Sequence, residues 1–171
     1  TDWARITTLM GGNDQGTLFL PEVNDEVLVA FHLGEFRHPY VIGVLWNKKN
    51  KPPKGDEDNN IRKIRSKSGH ELIMNAKSGE EQVTIKTKKG NIVEMIDKTD
   101  TIKISESGGA NDIVIKGGSS GEISLKSGTS SIKLNAKGEI TITGGTKVIL
   151  KGVEVQVEAS GSLNLKANAE L

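Results

Sequence analysis

Apolar and polar residues alternate in short runs through the second half of the chain, and a turn-forming segment follows each run. The recurring motif is apolar–polar–apolar, and its clearest copies lie at 83–85, 102–104, 113–115, 123–125, 132–134, 140–142, 148–150, 155–157 and 163–165. The last six copies begin 9, 8, 8, 7 and 8 residues apart, a spacing that fits one strand and one turn. The pattern predicts a stack of short β-strands from residue 61 to 171.

The first 50 residues alternate less regularly and carry frequent turn signals. Strands are predicted at 3–6, 17–20, 26–31 and 40–46, and the last two form a hairpin around the polar loop 34–39. Such short strands indicate a small barrel or sandwich. No stretch has helical periodicity, so we expect an all-β protein with almost no α-helix.

The repeat is too short to enclose a core by itself. Alternation puts the apolar side chains on one face of each strand, and burial of apolar surface is worth about 25 cal/mol per Å². A β-helix made by one chain needs a longer period, near 20 residues, which the sequence lacks. We therefore expect three chains to wind together, each contributing one strand per face and passing the next level to its neighbours.

Composition divides the chain into two architectures and a connector. Both Trp, all three Phe and the single Tyr lie before residue 47, whereas the segment 47–60 has no apolar residue and contains Pro52 and Pro53. We predict a domain at 1–50, a linker at 51–60 and the repeat domain at 61–171. The formal net charge of +1 gives no reason to expect nucleic-acid binding. The chain has no Cys, which excludes disulfide and thiolate chemistry.

The N-terminal segment contains a distinctive set of short runs, namely WARI at 3–6, GTLFLP at 16–21, DEVLVAF at 25–31, GEFRHPYVIGVLWN at 34–47 and PP at 52–53. With these residues it resembles the OB-fold domain of VgrG proteins and of the related baseplate V-like spike proteins of contractile phage tails. In that family a triple-stranded β-helix follows the OB domain, as the repeat does here. Asn24 stands where the family usually has Gly, and Asn tolerates the positive φ of such a turn. The family also has a strand ahead of residues 3–6, so we expect the N-terminal strand of the barrel to be missing and the chain to be a fragment.

The resemblance implies a mechanical role and a set of partners. Members of the family are homotrimers that are assembled in the bacterial cytoplasm and delivered to the outside or into a target cell, or form part of a virion. Inner-tube and baseplate proteins lie at the N-terminal side, and a conical tip protein and effectors lie at the C-terminal end. The spike pierces a target envelope, so the membrane is contacted mechanically. Two other functions stay open: a trimeric β-helical adhesin that binds a receptor or glycan, and the remnant of an enzyme whose catalytic domain lies elsewhere.

Several short motifs imitate catalytic or metal sites, and each has a simpler structural interpretation. Residues 117–121 match the Gly-x-Ser-x-Gly pattern, but a strand motif follows and no His occurs after His70. His70 and Glu71 begin a zinc-protease motif that Met74 breaks. His32 and His38 flank a loop, and Asp56 opens an incomplete calcium-loop pattern in the linker. We therefore predict no catalytic, cofactor-binding or metal-binding residue, and no enzyme activity. The aromatic residues Trp3, Phe19, Phe31 and Trp46 are predicted to form the core of the first domain.

Overall fold

A computed structural model describes residues 3–167 and confirms the all-β prediction. The only helical turns in this part of the chain are two short 3-10 turns, His32–Gly34 and Asp97–Thr99. The chain divides into two compact units, the first ending at Lys54 and the second beginning at Gly55. Neither sheet closes into a barrel among the described residues.

The first unit is a three-stranded sheet in the order β1-β3-β2, where the strands are β1 (Arg5–Ile6), β2 (Glu26–Phe31) and β3 (Pro39–Leu45). Strands β2 and β3 form the predicted antiparallel hairpin, with a register shift between Leu28 and Val29. The hairpin loop turns at Leu33 and Gly34, both of which have positive φ. Strand β1 pairs parallel with β3, which confirms part of the strand predicted at 3–6.

Two expectations for the first unit are wrong in the single chain. Residues 17–20 form no strand, because the nearest contacts are hydrogen bonds between Thr8 and Thr17 rather than a ladder. The four aromatic side chains predicted as core are exposed, and Trp3 and Trp46 are 97% and 68% accessible to solvent. A sheet of three strands has too little surface to enclose them, although Phe31 does pack edge-on against Phe36 at a centroid distance of 5.0 Å.

The second unit is one nine-stranded antiparallel sheet in which every strand pairs with the next along the chain. The strands are β4 (Ile61–Arg65), β5 (Glu71–Asn75), β6 (Gln82–Lys86), β7 (Ile92–Ile96), β8 (Thr101–Ser105), β9 (Asn111–Lys116), β10 (Glu122–Ser127), β11 (Ser130–Asn135) and β12 (Ile140–Thr143). Short turns connect them, several with a glycine at positive φ, such as Gly69 and Gly79.

This topology corrects the expectation that each strand passes the next level to a neighbouring chain. Between residues 61 and 143 the turns are short enough to close hairpins, so the neighbouring strand comes from the same chain. A meander of this kind places all nine strands side by side in one sheet. One chain therefore supplies all nine strands of this sheet.

Candidate functional site: the apolar face of the second sheet

The strand register brings the alternating apolar residues together on one face of the nine-stranded sheet. Cross-strand partners align in two columns that run the length of the stack, and we call these columns the apolar face. The first column is Ile64, Leu72, Ile85, Val93, Ile104, Ile113, Leu125, Ile132 and Ile142. The second is Arg62, Met74, Val83, Met95, Ile102, Ile115, Ile123, Leu134 and Ile140. Seventeen of these 18 side chains are aliphatic or methionine.

The apolar face is uncovered. No hydrophobic residue is buried anywhere in residues 3–167, and typical members of the face, Ile113 and Ile85, are 39% and 50% exposed. Fully burying one such side chain is worth about 1.5–3 kcal/mol, so covering the face would contribute on the order of 15 kcal/mol per chain. Monomeric proteins rarely leave a continuous apolar patch of this extent in water. The single chain thus has a sheet but no hydrophobic core.

The opposite face, which we call the outer face, is mainly polar and charged. Its most buried members are the small residues Thr84, Thr101 and Ser124, at 5%, 9% and 9% exposure. Ion pairs cross between strands, including Lys133 Nζ to Glu122 Oε2 at 3.7 Å. A face of this chemistry remains stable in water, so only the apolar face calls for a partner.

The strongest ion-pair cluster on the outer face joins β4 to β5. The Glu71 carboxylate lies 2.6 Å from Arg65 Nη1 and 3.5 Å from Lys63 Nζ. The Arg65 hydrogen bond, followed by the charge of Lys63, holds the pKa of the Glu71 carboxyl below its ordinary value. The cluster links the two strands of the first hairpin of the sheet.

Glu71→Gln is expected to lower the free energy of unfolding by about 0.5 kcal/mol at neutral pH, because the ion pairs are lost while the side-chain shape is kept. Since the pKa of Glu71 is lowered on folding, its contribution is present above the ordinary Glu pKa and disappears as pH falls through the lower folded value. Urea unfolding of both proteins between neutral pH and about pH 3 measures this difference. A gap that widened in acid would contradict this assignment.

Arg62 is the one charged member of the apolar face and lies at the end of its column. Its Nη1 contacts both the backbone carbonyl oxygen and the side-chain Oδ1 of Asn59, the latter at 3.2 Å. The guanidinium is therefore engaged by the turn that precedes β4. The uninterrupted apolar part of the face begins at the next strand.

Past β12 the chain continues through residues 146–167 without regular secondary structure. Residues 146–167 contain the last three strand motifs, yet none of them forms a strand or a backbone–backbone hydrogen bond with another described residue. Their apolar side chains are exposed, for example Val155 and Leu163. Val148 also lines a groove along the first column of the apolar face, beside Ile132 and Ile142. The sequence alternation is therefore the same as in β4–β12, but the partner strands are missing.

The structure shows where the motifs that resemble catalytic or metal sites lie. Residues 117–121 form the turn between β9 and β10, and Glu71 begins β5, a strand rather than a helix, directly after His70. His32 and His38 are exposed, and Asp56 accepts hydrogen bonds from the Ile61 amide and the Asn60 side chain within the linker. Among residues 3–167 no group of three His, Cys, Asp or Glu side chains is placed to hold a metal ion. No helix in the same range is long and apolar enough to cross a membrane.

Comparison with known proteins agrees with the architecture. Residues 1–46 match the model of the type VI secretion system/phage-baseplate injector OB domain. The chain is 22% identical over 206 residues to the type VI secretion system spike protein VgrG1a of Pseudomonas aeruginosa, covering 96% of this chain and 32% of that protein. It is 29% identical over 90 residues to the spike protein VgrG5 of the same species, covering 48% of this chain and 11% of the relative. The chain thus spans about a third or less of the length of these relatives.

Proposed function

We propose that this chain, a VgrG-like protein with a structural, spike-type role, works as a homotrimer whose three apolar faces meet along a common axis. The observation that carries the proposal is the continuous apolar face of seventeen unburied side chains. Three identical faces turned toward one axis would form the core that a single chain lacks. The assembled object is the needle portion of a contractile injection machine.

Three copies suit the width of the sheet. Each strand contributes only two residues to the apolar face, so the sheet is a narrow strip about 20 Å wide. Two strips packed face to face would leave both long sides of the apolar layer open to water. Three strips form the smallest closed tube with a filled interior, and closed cyclic symmetry is the common solution for identical chains.

The extended segment 146–167 has a natural place in the same trimer. Its backbone groups form no backbone–backbone hydrogen bonds with other described residues, and buried backbone groups require partners. Strands from the two neighbouring copies would supply them, so the needle changes from three self-paired sheets to interwound strands beyond residue 143. The interwinding inferred from the sequence is then confined to this last part.

The mechanical role follows from such a rod. A stack whose backbone groups are all hydrogen-bonded resists axial load and leaves few free strand edges. The first unit would face the inner-tube and baseplate proteins, and the C-terminal end would carry a tip protein and effectors. The machine would be assembled in the bacterial cytoplasm, and contraction would drive the spike through a target envelope without any chemical step.

Substitution in the parent machine tests this role. In cells that assemble it, Ile132→Asp in the full-length protein should stop release of the inner-tube protein, because a charge on the axis prevents trimer formation. Ser131→Asp is the matched control, since the neighbouring residue lies on the outer face, and it should leave release near the unaltered level. Normal release with Ile132→Asp would contradict the proposal.

A trimeric adhesin is the alternative that one observation favours. That function predicts exposed aromatic side chains on the head, and Trp3, Phe36 and Trp46 are exposed in the first unit. Binding of the purified chain to a glycan array separates the two functions. Saturable binding that Trp46→Ala removes would favour the adhesin, and no binding is expected of a spike.

A further inference from the structure

Between β4 and β8, the turns on the two long edges of the nine-stranded sheet carry opposite charge. We call the turns 66–70 and 87–91 the basic edge, because they contain Lys67, Lys88 and Lys89 and no carboxylate. Turns 76–81 and 97–100 lie at the opposite ends of the same strands, and we call them the acidic edge. They hold four carboxylates, Glu80, Glu81, Asp97 and Asp100, against two lysines.

Charges at the centre of each edge have no ion-pair partner within the described chain. The Glu81 and Asp97 residues adjoin across the ladder, where the Asp97 amide donates to the Glu81 carbonyl oxygen at 3.1 Å. Neither carboxylate forms an ion pair among residues 3–167, and neither do Lys88 and Lys89. By contrast, Lys77 is paired with Glu80 at 2.7 Å. Glu106, in the next turn along the basic side, accepts hydrogen bonds from the backbone amides of its own turn.

Symmetry determines which edges meet in a three-sided tube. When three identical sheets point their apolar faces inward and stack in the same direction, one long edge of each copy lies against the opposite edge of the next. Turns on opposite edges alternate in level along the stack. The turn 87–91, between β6 and β7, therefore falls between the levels of turns 76–81 and 97–100 of the neighbouring copy.

We infer that the three corners of the trimer are formed by the basic edge of one copy against the acidic edge of the next, with Lys88 and Lys89 facing Glu81 and Asp97 of the neighbour. The inference rests on the proposed trimer and adds the contact that orients its chains. The partner surface belongs to a second copy of this chain. The same contact between unlike edges recurs at each of the three corners around the axis.

The same charges disfavour a competing assembly. Two sheets could cover their apolar faces by packing against each other with their stacks in opposite directions. A two-fold axis parallel to the strands then places basic edge over basic edge and acidic over acidic, which brings like charges together. Repulsion of this kind suppresses the wrong partner geometry while the apolar faces provide most of the binding energy.

Charge reversal with rescue tests the inference on the full chain. Lys88→Glu with Lys89→Glu should raise the trimer dissociation constant about 100-fold at low salt, since three corners each lose two attractions and gain repulsions. Glu81→Lys with Asp97→Lys should weaken the trimer similarly. The fourfold variant, with both edges reversed, should return close to the unaltered constant. The penalties should shrink at about 0.5 M salt, where the Debye length falls well below 10 Å.

The matched control is Lys48→Glu with Lys49→Glu, the same charge change at two exposed residues of the first unit. Sedimentation equilibrium of all five proteins supplies the dissociation constants, measured at a urea concentration at which the unaltered trimer begins to dissociate. The charged corner would be overturned if the double charge reversals changed the dissociation constant no more than the control does. It would also be overturned if the quadruple variant dissociated as readily as the double variants. Either result would leave the proposed trimer intact. An unaltered chain that sediments as a monomer would overturn both. If one of the two double variants fails to fold, the double variant on the other edge is compared with the control instead.

Discussion

Replacing Ile113 by aspartate is expected to abolish the trimer. Ile113 lies in the middle of the first column of the apolar face, between Ile104 and Leu125. Three copies of the new carboxylate would meet near the axis with no counter-charge. An unpaired buried charge costs several kcal/mol, so three of them cost on the order of 10 kcal/mol per assembly. Light scattering at matched concentration measures the loss.

Val114→Asp is the informative control, because the neighbouring residue points to the outer face. In the isolated chain Val114 is less exposed than Ile113, so single-chain burial predicts the larger effect at Val114. The trimer predicts the reverse: Val114→Asp should cost about 1 kcal/mol and keep three chains together. Equal damage from the two substitutions would contradict a core on the apolar face.

Val155→Pro is expected to have the second large effect, because residue 155 lies in the segment 146–167, past the last strand of the described sheet. Proline removes the backbone donor of residue 155. Because residues 146–167 form no backbone–backbone hydrogen bonds with described residues, the isolated chain should tolerate the change. If the segment is interwound with its neighbours, each copy loses a ladder bond and leaves a facing carbonyl unpaired, at about 1–3 kcal/mol per chain. The expected result is dissociation of the trimer at distinctly lower urea concentration.

Lys54→Pro controls for a general effect of proline. Residue 54 is in irregular structure directly after Pro52 and Pro53, outside both sheets. This variant should dissociate at the same urea concentration as the unaltered protein. Identical behaviour of Val155→Pro and the unaltered chain would show that the last segment takes no part in assembly.

Strict alternation made the second sheet predictable. In the runs at 102–104, 113–115 and 123–125 every other residue is Ile or Leu, and a period of two assigns them to one face whatever the partner strands are. The absence of a hydrophobic core within one chain followed from the same alternation, because it gives each strand only about two inward-facing residues. One layer of such strands cannot enclose a core. The outer face was also predictable, because Lys, Thr and Ser fill the intervening positions.

Strand pairing was less predictable. Register depends on turn geometry, and turns such as 128–129 close hairpins that an eight-residue repeat alone does not distinguish from a crossover to another chain. Pairing of each strand with a neighbouring chain was therefore predicted throughout, whereas up to residue 143 the strands pair with one another within one chain. The inclusion of Met74, Met95 and Arg62 in the columns was missed for the same reason, since only the register aligns them.

The first unit shows why composition misled. Trp3, Phe19, Phe31 and Trp46 have the chemistry of core residues, but whether they are buried depends on how many strands surround them. Only three strands form here, and the 17–20 segment remains outside the sheet. Side-chain chemistry predicts what could be buried, whereas strand count and closure determine what is.

The native mass of the full chain in solution tests the central claim most directly, because the apolar face requires partners and their number defines the tube. Sedimentation equilibrium should give three times the 18.4 kDa chain mass, with no dissociation on dilution to the micromolar range. A folded, monodisperse species at the mass of one chain, with its seventeen apolar side chains still in water, would contradict the account.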